Sequence, residues 1–300
     1  MPSILSKKRT SVIQPSDHMQ LTKRLAIKYI RTKYKILSQL SKRKAAEKAF
    51  ELFITPQSRL RKVPSSTIQK AETLTLGFNG LKTYGYRWNH SASSEKKVLL
   101  LHGHESSAVN FDHYVTPLVK KRYEVVAFDA PAHGKSEGKM INAIDYKNYI
   151  LEVIHQFGPF TSFISHSFGG LALSLALEEI PHNDKWKVVL IAPATESVTA
   201  INNFFRHLRL DKEVRKEFDE LITKANNKPP VWYSVSRASA YIKAQVLFLQ
   251  DKQDHLTPFS DVEPIIAKQY PNFRFVISDG LGHRKIYKDK SSVHAITEFL

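Results

Sequence analysis

Ser167, Asp254 and His283 have the side-chain types, and the order along the chain, from which a hydroxyl nucleophile can be activated. A serine hydroxyl is weak on its own. It needs a base in contact to take its proton, and the base needs an acid to orient it and stabilise its charged form. Ser167 lies in Ser165-His166-Ser167-Phe168-Gly169. There a short apolar run containing Ile164 ends a buried strand, and Leu171 to Leu177 follow as a packed helix. Backbones pass close together at such a turn, so small residues are needed two before and two after its apex. Ser165 and Gly169 meet that need. The turn exposes the Ser167 hydroxyl and aims a helix N-terminus at it, where free N–H groups hold a developing oxyanion.

Elements that position these residues follow from the pattern around them. Glu72 to Leu76 alternate, Asn79-Gly80 is a hairpin signal, and Leu81 to Trp88 read as the return strand. Lys97–Leu101 is a continuous apolar run, as expected of a strand buried on both faces. Val125–Phe128, Phe163-Ile164, Val188–Ile191, Val246–Leu249 and Phe273–Val276 follow, with helical segments such as Val109–Lys121 and Asp145–Phe157 between them. Alternating strands and helices predict an α/β fold with a mostly parallel central sheet flanked by helices.

In such a sheet, ligands bind beyond the carboxyl ends of the strands. After Leu101 come His102-Gly103-His104, where the glycine allows a tight turn that leaves the backbone N–H of His104 facing the nucleophile. With the N–H of Phe168 it makes a two-donor oxyanion hole, each donor worth about 3 kcal/mol of barrier. After Phe128 come Asp129 to Gly138, a turn-rich loop. Asp254 follows the strand ending at Leu249, and His283 follows the last strand behind Gly282. Asp251 and Asp279 compete with Asp254 for the acid role, but Asp251 comes too soon after its strand and Asp279 stays at its own strand end. Among the other histidines, His102 reads as structural and His166 as a packing residue beside the turn. His133 and His255 lie on loops of the same face. No His/Asp/Glu cluster has metal-binding spacing.

These motifs, in this order, resemble the α/β-hydrolase superfamily, among its serine esterase, lipase and thioesterase members, from about residue 70 to the C-terminus. His102-Gly103 resembles the oxyanion-loop motif and Asp129 to Ser136 the D-x-x-G-x-G-x-S loop, with Ala132-His133-Gly134 where Gly-His-Gly is commoner. Ser165 to Gly170 resemble the G-x-S-x-G nucleophile elbow, with Ser165 in place of the first glycine. Asp254 with Thr257-Pro258 resembles the acid loop and Gly282-His283 the histidine loop. The resemblance implies neither metal nor organic cofactor. A serine nucleophile disfavours epoxide hydrolase and haloalkane dehalogenase chemistry.

Between Ala194 and Ala244, about fifty residues carry no clear strand. Ile201–Leu210 and Val214–Lys224 look helical, and Pro229-Pro230 interrupts them. The superfamily places a small helical cap over the active site here. Phe204, Phe205, Trp232 and Tyr233 are then candidates for an apolar acyl-binding wall, or else for packing the cap onto the domain.

The net charge of +17 suggests nucleic acid until it is divided along the chain. Residues 1–65 hold 16 of the 45 basic and 3 of the 28 acidic side chains, a net of +13, and the remaining 235 residues are close to balanced at +4. We therefore divide the chain into a basic helical N-terminal extension, 1–65, and a hydrolase-like domain, 66–300, with a cap at 195–244. Residues 1–16 are polar and read as mobile. Asp17 caps a helix expected to run to about Phe53, with Leu21, Leu25, Ile30, Tyr34, Leu37 and Leu40 at roughly helical spacing. It reads as a helix docked on the domain with a solvated basic face, or as one attracted to anionic lipid over residues 17–53. No aromatic–basic interleaving supports nucleic acid.

There is no cysteine, no apolar run long enough to span a bilayer and no signal-peptide core, so the expected setting is cytoplasmic. The expectation is a cofactor-free serine hydrolase acting on a carboxylic ester or thioester. Acyl transfer, or a non-catalytic module recruited to anionic membrane, are the alternatives.

Overall fold

The computed structural model describes residues 15–59, 65–90 and 96–300, with side chains from residue 25 onward. Of the segment 1–16 expected to be mobile, residues 1–14 lie outside the described residues, as does Pro64, and residues 15 and 16 are helical. The first helix begins at Pro15, so Asp17 lies inside its first turn and is not the expected cap.

Eight strands form one sheet: β1 Glu72–Phe78, β2 Leu81–Trp88, β3 Lys97–Leu101, β4 Glu124–Phe128, β5 Ser162–His166, β6 Lys187–Ile191, β7 Gln245–Asp251 and β8 Phe273–Ser278. Their order is β1-β2-β4-β3-β5-β6-β7-β8. β2 runs antiparallel to β1 and β4, and every pairing from β4 to β8 is parallel. Asn79 and Gly80 both take positive φ, 49° and 75°, which fits the two-residue hairpin between β1 and β2.

Successive side chains of a strand point to opposite faces. Leu99, Leu101, Val126, Phe128, Phe163, Val188, Leu190, Val246 and Phe248 fill one core layer. Val98, Leu100, Val125, Ala127, Ile164, Val189, Leu247 and Leu249 fill the other. Both faces are covered, so the central strands read as continuous apolar runs. The β3–β5 pairing sets Leu101 opposite Ser165. The loops after these two strands therefore leave the sheet side by side, at the place where the strand order reverses.

The helices are α1 Pro15–Leu40, α2 Lys42–Ile54, α3 Ser66–Gln69, α4 Asp112–Lys120, α5 Ala143–Phe157, α6 Phe168–Leu177, α7 Ser197–Leu208, α8 Lys212–Asn226, α9 Val235–Ala238, α10 Glu263–Ala267, α11 Gly282–Lys285 and α12 Lys290–Phe299. Helix α6 is buried along its whole length after Phe168, because it is apolar all round. The cap consists of α7, α8 and α9, joined by a short 3₁₀ turn at Pro230–Trp232.

A further expectation is corrected at the N-terminus. The single helix to Phe53 is two helices, broken at Ser41, whose backbone is extended and whose hydroxyl caps α2 by accepting from the N–H of Lys44 at 3.2 Å. The composition boundary at residue 65 does not divide two cores. Ala45, Ala46 and Ala49 are fully buried and belong to the same core layer as the cap. These small side chains let α2 approach α8 closely. Phe50 and Phe53 then meet Phe218 edge-on, with ring centres 5.7 and 5.8 Å away. Lys42 pairs with Asp211 at 2.7 Å and Arg43 with Glu217 at 3.4 Å. These pairs are partly exposed, so the aromatic burial holds α2 and the ion pairs add little.

Candidate active site

Ser167 sits at the apex between β5 and α6 with φ 53° and ψ −120°, a backbone conformation that few non-glycine residues adopt. The close packing anticipated around it is present. A Cβ on Gly169 would lie 2.6 Å from the carbonyl oxygen of His102, and one on Gly103 would lie 2.9 Å from the Cβ of Ser167. Ser165 fits where glycine is commoner because its hydroxyl donates to the carbonyl of Val189 at 3.0 Å.

The structure brings Ser167, His283 and Asp254 together from the ends of three strands. Nε2 of His283 is 2.9 Å from the Ser167 hydroxyl, and Nδ1 is 2.8 Å from Oδ2 of Asp254. Asp254 is buried, yet its carboxyl lies below the ordinary range. Burial alone would raise it, but bonds from His283 and Thr257 outweigh that. The Thr257 hydroxyl donates to Oδ2 at 2.7 Å, and the N–H groups of Leu256 and Thr257 donate to Oδ1 at 2.8 and 3.0 Å. A carboxylate with this many donors is held ionised, with one oxygen aimed at the imidazole.

The competing acids do other work. Asp251 accepts from Ser278, Gln253, Gly280 and Leu281, so it holds the loop that carries His283. Burial would raise its carboxyl, but these donors bring it down to about 2. Asp279 accepts from Gln253 at 2.8 Å at its own strand end.

Three buried histidines frame the site as neutral rings, because burial disfavours the charged form. Nε2 of His102 accepts from the N–H of Ala130 at 3.0 Å, so Nδ1 carries the proton and donates to the carbonyl of Gly103 at 2.8 Å. His133 likewise accepts from the N–H of Glu105 at 3.1 Å and donates to the carbonyl of Pro131, its pKa held down to about 2. The two rings fix the loop around His104 from below. His166, lowered to about 3, donates from Nε2 to the backbone carbonyl of His283 at 3.1 Å and packs against the ring of Tyr287. Asp129 ties the same region together by accepting from Ser107, Ala108 and Lys135.

Among the described residues, the backbone N–H groups of His104 and Phe168 have no hydrogen-bond acceptor. Phe168 opens α6, so its N–H lies at the positive end of that helix. Its ring and that of His104 meet edge-on, with centres 5.9 Å apart.

A cavity of about 740 Å³ opens over Ser167, within the size range of small-molecule sites. Phe50, Phe53, Ile54, Ile141, Leu171, Ile201 and Ile222 give it an apolar wall, and Arg284 and Lys288 lie along it near His283. Tyr233 lines it as expected, whereas Phe204, Phe205 and Trp232 do not. Phe204 and Phe205 turn onto Phe218 and Phe53 and hold α2 against the cap. Trp232 lies under the guanidinium of Arg237, 4.1 Å from its ring centre. His133 and His255 are also absent from the lining. Sequence reasoning named none of the seven apolar wall residues as substrate-binding: it missed Ile141, Leu171, Ile201 and Ile222, and on α2 it missed Phe50, Phe53 and Ile54. Their signal was the run Ala45-Ala46-x-x-Ala49, a small-residue face preceding a cluster of apolar side chains. No group of His, Cys, Asp or Glu among the described residues could hold a metal ion.

Comparison with known proteins finds similarity in both sequence and fold. Residues 92–234 match a family described as "Serine aminopeptidase, S33". A protein of Mycoplasma pneumoniae provisionally named esterase/lipase 2 is 23% identical over 236 residues, covering 67% of this chain and 88% of that protein. A serine hydrolase-like protein of Dictyostelium discoideum is 29% identical over 169 residues, and this match covers 49% of the chain and 45% of that protein. Among solved structures, an esterase of Pyrococcus furiosus aligns with a TM-score of 0.60 at 20% identity, over 82% of this chain and 96% of its own. The mouse alpha/beta hydrolase domain-containing protein 10 aligns at 0.56 and 15% identity, over 76% and 96%. At such identities the structural likeness speaks for the fold.

Proposed function

We propose that this chain is a serine hydrolase of the α/β-hydrolase superfamily that cleaves a carboxylic ester or thioester with an apolar acyl group. The observation that carries the reading is His283 bridging Ser167 and Asp254 at 2.9 and 2.8 Å beneath a mainly apolar cavity. Nε2 of His283 takes the Ser167 proton as the hydroxyl oxygen attacks the acyl carbon. Asp254 stabilises the imidazolium through Nδ1–H. The N–H groups of His104 and Phe168 hold the oxyanion, at about 3 kcal/mol of barrier each. The tetrahedral intermediate collapses as His283 returns the proton to the leaving alcohol or thiol, which leaves an acyl-enzyme on Ser167. Water, deprotonated by His283, then attacks the acyl carbon and releases the acid.

The acyl group occupies the wall of Phe50, Phe53, Ile54, Ile201 and Ile222, so the N-terminal helix and the cap share the substrate site. Hydrolysis of nitrophenyl esters by wild type, Ser167→Ala and Asp254→Asn tests the reading. Turnover is expected to fall at least about a thousandfold in both variants. Undiminished turnover by pure Ser167→Ala contradicts it. Added alcohol or amine acceptors distinguish hydrolysis from acyl transfer by the product formed.

A further inference from the structure

We propose that the outward face of α1 docks on an anionic phospholipid surface. The inference stands on the N-terminal helix alone and is independent of the catalytic reading. α1 carries two apolar stripes. In one, Ile27, Ile30, Tyr34 and Leu37 are buried or half-buried. This face is fastened by the Tyr34 hydroxyl to the carbonyl of Lys48 at 2.7 Å and by Arg31 to the carbonyl of His207 at 2.6 and 2.9 Å.

The other stripe is Leu25, Tyr29, Ile36 and Leu40, which are 58, 68, 55 and 79% exposed. At about 100° per residue these four fall within an arc of about 60°, on the side of the helix away from Tyr34. Nine large apolar side chains are strongly exposed among the described residues. Four lie on this one stripe, while Met140, Val231, Tyr241, Leu256 and Ile277 are scattered. The stripe is therefore a patch rather than the ordinary scatter of surface apolar groups.

Charge identifies what covers it. By the same rotation, Lys33 runs along one edge of the stripe and Lys28 and Lys35 along the other. All three are exposed and, among the described residues, their ammonium groups make no ion pair or hydrogen bond. No Asp or Glu occurs from His18 to Leu40. A narrow apolar stripe edged with lysines is the pattern of a helix lying in the plane of a membrane interface. Its leucines and isoleucine enter the acyl boundary, and its lysine stems carry their charges to anionic headgroups. Nucleic acid would use the lysines and leave Leu25, Ile36 and Leu40 without a role. A second copy of the same face would set lysines against lysines across a two-fold axis.

The test sediments the full chain with vesicles of phosphatidylcholine alone and of phosphatidylcholine with phosphatidylglycerol, at low and high salt. Binding is expected to the anionic vesicles and to weaken with salt. The triple variant Leu25→Ser/Ile36→Ser/Leu40→Ser should lose at least about tenfold in partitioning. The variant Lys28→Gln/Lys33→Gln/Lys35→Gln should bind more weakly and show a flatter salt dependence. Circular dichroism and thermal midpoints unchanged from wild type establish that both variants fold. Wild type left in the supernatant of anionic vesicles at low salt overturns the proposal. So does undiminished vesicle binding by the serine variant, a wild-type dimer that this variant turns into monomer, or binding to duplex DNA that matches vesicle binding and survives the serine substitutions.

Discussion

Nε2 of His166 donates to the main-chain carbonyl of His283 at 3.1 Å, so the residue just before Ser167 holds the backbone of His283. The rings of the two histidines lie 4.7 Å apart, and the ring of Tyr287 also packs on His166, at 4.4 Å. Alignment of the imidazole with the Ser167 hydroxyl thus depends on a side chain that takes no proton itself.

Replacing His166 by Ala should therefore act on the chemical step. We expect kcat to fall about 10- to 100-fold with KM changed much less, because a small misplacement of the base raises the barrier without emptying the acyl site. Steady-state kinetics on one ester, with a thermal midpoint to correct for lost stability, measure it.

The wall supplied by α2 predicts a chain-length effect. Phe53→Ala should raise KM about tenfold for an octanoyl ester, about 1.4 kcal/mol of lost contact, and leave an acetyl ester nearly unchanged. A panel of esters of rising length distinguishes this from a general loss of activity.

Phe218 is fully buried where rings from α2, α7 and α8 meet, at 5.7 Å from Phe50, 5.8 Å from Phe53 and 5.1 Å from Phe205. Phe218→Ala should cost about 3–5 kcal/mol, read from denaturant unfolding. It should also loosen α2, so that protease cleaves near residue 41 faster than in wild type.

These contacts separate what the sequence discloses from what it hides. The central strands were legible because a parallel strand buried on both faces must be apolar throughout. The turn at Ser167 was legible because the Gly169 backbone passes too close to the His102 carbonyl for a side chain. The partnership of His283 and Asp254 was legible as an order of strand-end loops. The cavity wall was not, because Phe53 meets Phe204 across about 150 positions and neither shows a local preference for that contact. The break at Ser41 was hidden by helix-forming residues on both sides of it. The role of His166 lay in a ring nitrogen reaching the backbone of a distant residue.

Acid should destabilise the protein through its buried histidines. His133 and His166 stay neutral in the fold down to about 2 and about 3, and His102 is also lowered by burial. Unfolded histidine takes up a proton below about pH 6.5. The unfolded state then binds more protons, so stability is full above that pH and falls as pH drops toward 3. Each such group adds a slope of about 1.4 kcal/mol per pH unit. Denaturant midpoints between pH 7 and pH 4.5 should fall steeply, and His133→Gln should show a shallower slope than wild type.

Labelling with a fluorophosphonate probe tests the activation of Ser167 most directly. Wild type should be labelled at Ser167, Ser165→Ala should be labelled as wild type is, and Ser167→Ala should be silent while remaining folded. Equal labelling of wild type and Ser167→Ala, or no labelling of folded wild type, would contradict a nucleophile activated by His283 and Asp254.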